Sequence, residues 1–392
     1  MTSNSLRLVI LAALVSAGAS AQTQSGGFVI TLGVDTMHVE RFTRTPQRLD
    51  GTVVTRSPFT RVMTYSLTFG ADGTPARYEF STKRGDGTPM TGIGQSGSVV
   101  FAPDSLTREL TNAEGGLVTD RIVSRPGILP APNLPYVGTS VLLYELGFAS
   151  ARKTAQANGE AVLPQLYMTP QLKQPGGTRI WFIGKDSVEM DYFGRARRGF
   201  RLNDAGEVVR SDWSRTTFAY DMRRVATVDV DNIAKAWADA DARGARMGAL
   251  SPQDTARANV GGAEVMITYA RPSKRGRTIW GVLVPMDTIW RLGADFATHM
   301  STTKDLMIGE TLVPAGRYTL WMYPSDKGSM LVVNKQVNIF GTAYNPAHDL
   351  VRIPLVRTPL RGTIERLTLQ IADGQFMIWW AETGWTVPIA AK

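Results

Sequence analysis

The 392-residue sequence contains no cysteine, so it has neither a disulfide nor a lipid-modifiable thiol, and its stability rests on apolar cores alone. Histidine is nearly as scarce. His38, His299 and His348 lie in separate segments with no second His at metal-binding spacing, so no metal site and no cofactor are expected. After the N-terminal stretch, no apolar run approaches the roughly 18 residues of a membrane helix, which excludes a transmembrane segment from the rest of the chain. Acidic residues are the minority, 34 against 43 Lys and Arg, for a formal net charge of +9. The excess is spread out. No groove-reading or base-stacking motif accompanies it, which argues against nucleic acid and for attraction to anionic envelope polymers. His-Glu-x-x-His and Gly-x-Ser-x-Gly are both missing, so no catalytic residues are assigned.

What is present begins with Arg7, a short apolar run from Leu8 to Val15, and Ala19-Ser-Ala21. That run is too short to span a bilayer, and its small-residue ending suits a signal peptidase, so residues 1–21 read as a secretory leader. The expected location is periplasmic or extracellular. Short alternating strands follow. Val62–Phe69 and Ala76–Ser81, joined through Asp72-Gly73, form one hairpin signature, and Arg198–Leu202 with Glu207–Trp213, joined through Asn203–Gly206, form another.

Upstream blocks at Asp35–Arg44 and Asp186–Arg195 share acid, hydroxyl, acid, Phe and Arg at the same relative positions, the pattern of a duplicated β-meander. Gly92-Ile-Gly-Gln-Ser-Gly97 fits a bare dinucleotide pattern, but an extended segment follows it where a phosphate-binding helix is required, so it reads as a β-β loop. A helical insertion is expected near 138–158, after the Pro-rich stretch Arg125–Pro135, and a second helix over Asp231–Arg243. Gly244–Gly262 reads as linker.

The remainder returns to strands at Ala263–Ala270, Thr278–Val284, Arg317–Tyr323, Leu331–Asn334, Leu350–Val356, Ile364–Ile371 and Phe376–Trp380. The predicted fold is all-β with a few short helices. It consists of an N-terminal β-meander barrel or curved sandwich over 22–230, a helix and linker over 231–260, and a C-terminal antiparallel β-sandwich over 261–392.

The basic and aromatic residues concentrate in that last part. Arg271 and Arg277 flank a Ser-Lys-Arg-Gly turn and offer planar donors to a carboxylate, sulfate or phosphate. Trp290 offers a ring face, and Arg291 with Asp295 closes the same stretch. These five are the candidate ligand-binding residues. Strand alternation puts one of Trp379 and Trp380 in the core and the other outside, where it could form a sugar-stacking platform with Glu382.

Several ordered motifs carry a resemblance: Tyr-x-Arg-Pro-Ser-Lys-x-Gly-Arg-x-Ile-x-Gly from Tyr269 to Gly281, Trp-Arg-x-Gly-Ala-Asp-x-Ala-Thr from Trp290 to Thr298, Pro-Ala-Gly-x-Tyr from Pro314, and Gly-Thr-x-Tyr from Gly341. The segment from about Leu250 to Ile389 resembles bacterial domain-of-unknown-function family 2911. It departs from that family at Phe340, where a Trp is expected. The resemblance implies an envelope or secreted β-sandwich and no established activity. The leading functional expectation is non-catalytic binding of an envelope or extracellular glycan or other anionic ligand. The alternatives are a hydrolase whose carboxylates meet only in space, and an N-terminal carrier of a lipid or other apolar ligand.

Overall fold

The computed structural model describes residues 23–392 except 91, 93, 94, 113, 124–126, 131–139, 167, 169–175, 193–195 and 214–219. The expected leader therefore lies outside the described residues. From the N-terminus run β1 (Gln24–Leu32), β2 (Asp35–Arg44), β3 (Arg48–Thr55), β4 (Arg61–Phe69), β5 (Pro75–Arg84), β6 (Ser96–Phe101), β7 (Ser105–Thr111) and β8 (Leu117–Val123). A two-residue β9 (Leu129–Pro130) precedes helix α1 (Val141–Arg152). Then come β10 (Glu160–Leu166), β11 (Gly176–Ile183), β12 (Ser187–Tyr192), β13 (Ala196–Leu202), β14 (Val208–Asp212) and β15 (Tyr220–Val225).

These strands form one 15-stranded sheet in the order β8 to β1, then β15 down to β9. Almost every neighbour in it is also a chain neighbour. The pairing of β1 with β15 joins the two meanders, and no closed barrel results, because β8 and β9 remain the outer strands. Both expected hairpins are present. Gly73 and Gly206 supply the positive φ, at +76° and +79°, and their N–H groups close the turns on Gly70 and Asn203. The first upstream block falls on β2 and the second falls on β12 as far as Tyr192, its Phe193 and Arg195 lying outside the described residues. They sit differently, since β3 separates β2 from the β4–β5 hairpin whereas β12 pairs directly with β13.

Helix α1 starts at Ser140, whose side chain accepts from the Leu142 N–H. It is apolar nearly all round and packs against Phe28, Phe42, Tyr65, Leu163 and Phe200 on the inner face of the sheet. On the opposite face, helix α2 (Val230–Ala242), capped by Asp229, covers Val39 and Val54. Strands β2 and β3 are therefore buried on both faces.

Beyond α2 lie β16 (Gln253–Val260), β17 (Ala263–Ala270), β18 (Thr298–Thr302), β19 (Leu306–Ile308), β20 (Thr311–Val313), β21 (Gly316–Tyr323), β22 (Met330–Asn334), β23 (Asp349–Pro354), β24 (Val356–Ala372) and β25 (Gln375–Ala391). A six-stranded sheet, β16-β17-β18-β21-β22-β23, faces a four-stranded one, β20-β19-β25-β24, across a shared core. Two sequence expectations need correction. Gln253–Val260 is an edge strand, its full length paired with β17, where linker was expected. Thr278–Val284 is a chain of tight turns where a strand was expected. Gly281 is at φ +82°, and Ile279 and Val284 are buried by folding back on each other.

The two sheet systems meet at the β1–β2 turn. Val34 N–H donates to the Arg275 carbonyl at 3.1 Å, and Arg275 pairs with Asp35 at 2.5 Å. Gly33 is required there. Its φ is +60°, and a Cβ would lie 1.8 Å from the Arg275 carbonyl oxygen. Gly33→Ala is expected to cost at least about 1 kcal/mol and to accelerate proteolysis of the 244–252 connection; cleavage at the parent rate would count against this docking.

Candidate functional site

Arg271 directly follows the last residue of β17, and its guanidinium ties three elements together. Nε donates to the Leu367 carbonyl at 3.0 Å, Nη2 to Thr368 Oγ1 at 2.9 Å, and Nη1 to Asp254 Oδ2 at 2.9 Å. That clamp fixes the spacing of the edge strands β16 and β24. Below it the two edges part and leave a groove of about 260 Å³ lined by Asp254, Thr255, Arg257, Tyr269, Thr368 and Gln370, with Ala256, Leu369 and Ile371 between them. Tyr269 is buried in its floor, and its hydroxyl accepts the Leu369 N–H at 3.0 Å. Arg257 is exposed, with one guanidinium nitrogen 2.9 Å from the Met266 sulfur.

Register extends the site. Thr368 pairs with Trp379 and Gln370 with Met377, and residues directly opposite share a face. Trp379 therefore stands beside the two groove residues and remains partly exposed, while Trp380 turns inward and is 1% exposed. The expected split of the pair is present. Trp380 belongs to a cluster with Trp280, Trp290 and Trp385, in which the Trp290 and Trp380 rings stack at 5.8 Å and 14°.

The five residues singled out by sequence do not converge. Only Arg271 borders the groove, through Asp254 and Thr368. Arg277 spends its donors on its own turn, with Nη2 on the Ser273 carbonyl at 2.6 Å and Nε on the Lys274 carbonyl at 3.0 Å. Burial pushes its pKa down to about 10. Trp290 is half-buried against the C-terminal core and tied by two backbone hydrogen bonds to Met322. Arg291 lies against Gly341, where a Cβ would be 2.0 Å from its Cδ, and the Asp295 carbonyl accepts the Gly341 N–H at 2.8 Å. Leu292 and Asp295 hold positive φ, at +50° and +59°. Glu382 pairs with Lys274 at 3.4 Å, away from Asp295. Among the described residues, no group of three or more His, Asp or Glu is placed to hold a metal.

Sequence reasoning missed Asp254, Thr255 and Arg257, because a polar edge strand reads as linker, and Gln370, because nothing in the strand expected at Ile364–Ile371 marks it as facing β16. A polar-apolar alternation from Thr255 to Val260 was the available signal.

Residues 251–389 match the family described as Protein of unknown function (DUF2911). The groove lies wholly within the DUF2911 segment, whose boundaries coincide with the two-sheet sandwich. No curated protein matches the chain. Among solved structures it is similar to the crystal structure of a beta-barrel-like protein of domain of unknown function DUF1849 from Brucella abortus. The identity is 11% and the TM-score 0.32, over 52% of this chain and 94% of that one. No helix among the described residues is long and apolar enough to cross a membrane.

Proposed function

We propose that this chain is an exported, non-catalytic binding protein that holds a segment of acidic glycan in the groove of its DUF2911 segment. The observation that carries the reading is the groove between β16 and β24, with Trp379 beside it. Asp254, Thr255, Thr368 and Gln370 supply donors and acceptors of the kind sugar hydroxyls match. Trp379 supplies a ring face on which a pyranose can lie. Arg257, exposed and lining the groove, supplies the cation for a uronate carboxylate. The leader-like residues 1–21 support export to the envelope, where such polymers occur. The positive net charge adds long-range attraction that salt weakens.

The test is retention on immobilised alginate, a polyuronate, at low ionic strength. Arg257→Ala and Trp379→Ala are each expected to weaken binding about tenfold, the equivalent of roughly 1.4 kcal/mol. Retention equal to the parent's in both variants overturns the assignment.

A further inference from the structure

The N-terminal sheet carries a second polar constellation, unrelated to the groove. Cross-strand register puts His38 opposite Thr55, and Thr55 opposite Arg61. In the other direction Ile30 faces both His38 and Met222, and Met222 faces Ser211. Directly opposed residues share a face, so Ser211, Met222, Ile30, His38, Thr55 and Arg61 form one continuous row. The alternation along β1 to β4 places this row on the face of Phe28, Phe42 and Tyr65, the face that packs α1.

Four polar atoms of the row are shielded from solvent yet make no hydrogen bond: His38 Nε2, Thr55 Oγ1, Arg61 Nε and Ser211 Oγ. Protein interiors leave few such groups unpaired, because each desolvated donor or acceptor is costly. Three of the four belong to contiguous neighbours. Burial pushes the His38 pKa down to about 4, so its imidazole is neutral at physiological pH, and burial also lowers that of Arg61. Arg61 has one hydrogen bond, from Nη2 to the Ser57 carbonyl at 2.9 Å, and lies 5.8 Å from the Phe59 ring centroid. No carboxylate among the described residues pairs with it, and the row contains no acidic side chain. Water satisfies dipoles, but a half-buried guanidinium calls for an anion.

The rest of the row is apolar. Ile30 and Met222 continue it, and Phe200 lies opposite Ser211. Leu32, Tyr220, Met247 and Leu250 pack together at this end of the sheet. Gly248 bonds there to Pro58 and Ser57.

We propose that this row binds an anionic amphiphile, its acid group held by Arg61, Thr55 and His38 and its hydrocarbon laid along Ile30 toward the half-buried Met247 and Leu250. The test titrates the delipidated full chain with carboxyl-13C laurate and, separately, with acetate. Laurate is expected to bind saturably at one site at least about 100-fold more tightly than acetate, the ratio reached when only about three or four of its methylenes are buried at roughly fourfold each. Thr55→Val, which keeps the side-chain shape, and Arg61→Leu should each weaken laurate about tenfold, whereas Arg257→Ala should leave it unchanged. If Arg61→Leu does not fold, Thr55→Val decides. Absence of saturable laurate binding, equal affinity for acetate, or parental affinity in Thr55→Val overturns the proposal.

Discussion

Replacing Glu145 with alanine is expected to destabilise the folded protein by about 3–5 kcal/mol, the usual cost of leaving one partner of a buried ion pair alone. Glu145 lies on α1 with 4% of its side chain exposed, and its Oε2 accepts from Arg224 Nη1 at 2.9 Å and from the Val208 N–H at 2.8 Å. Arg44 approaches Oε1 at 3.4 Å. Burial raises the Glu145 pKa and Arg224 opposes the rise, so the carboxylate is tolerated only because the guanidinium is there. Arg224 is itself 14% exposed and lies over the Phe28 and Phe42 rings. Without Glu145 it retains, among the described residues, the 3.5 Å contact to Glu207 as its one charged partner, and the Val208 N–H loses its acceptor. Glu145→Gln keeps an acceptor for Val208 and should lose less. Urea unfolding of both variants checks the order; an alanine variant within about 1 kcal/mol of the parent would mean that water already reaches this ion pair.

The features that were legible in the sequence are the ones that local chemistry dictates. Asp72-Gly73 and Asn203–Gly206 each specify a turn on their own, and the alternation at Trp379-Trp380 sends one ring inward and the other out. The five residues read from the sequence do not form one site; guanidinium groups in a basic turn find acceptors in that turn's own carbonyls, as Arg277 does. The groove was invisible for a different reason: its walls come from residues 254–257 and 368–371, which become neighbours only when two sheets close over one core. The interior carboxylates were hidden as well. On β2, α1 covers one face and α2 the other, so Met37-His-Val-Glu40 shows no alternation of burial, and nothing in the pattern marks Glu40 as facing inward.

Raising the pH from 5 to 8 is expected to cost about 3 kcal/mol of stability through Glu40 alone, and Glu40→Gln should remove that cost. Tyr65 Oη donates to Glu40 Oε1 at 2.5 Å, the Val141 N–H donates to Oε2 at 2.7 Å, and Ser140 Oγ lies 2.8 Å from Tyr65 Oη. These contacts hold the start of α1 against β2 and β4. Burial nevertheless dominates and pushes the Glu40 pKa up to about 7, from an ordinary value of 4.5. The sign follows from proton counting. Between those two values the folded chain holds a proton that the unfolded chain has released, so stability falls as pH rises through the window and flattens above it. In Glu40→Gln the amide oxygen can still accept from Val141, and Tyr65 can turn its hydroxyl proton to Ser140 while accepting from the new NH₂. The variant should therefore match the parent near pH 5 and exceed it near pH 8. His38 titrates lower, with its folded pKa depressed to about 4, so its contribution is lost as pH falls and is common to both proteins. Subtracting the parent's stability from the variant's at each pH isolates Glu40; a difference that stays constant from pH 5 to 8 would place the carboxyl in contact with solvent and end the account of α1 as a helix held by a desolvated acid.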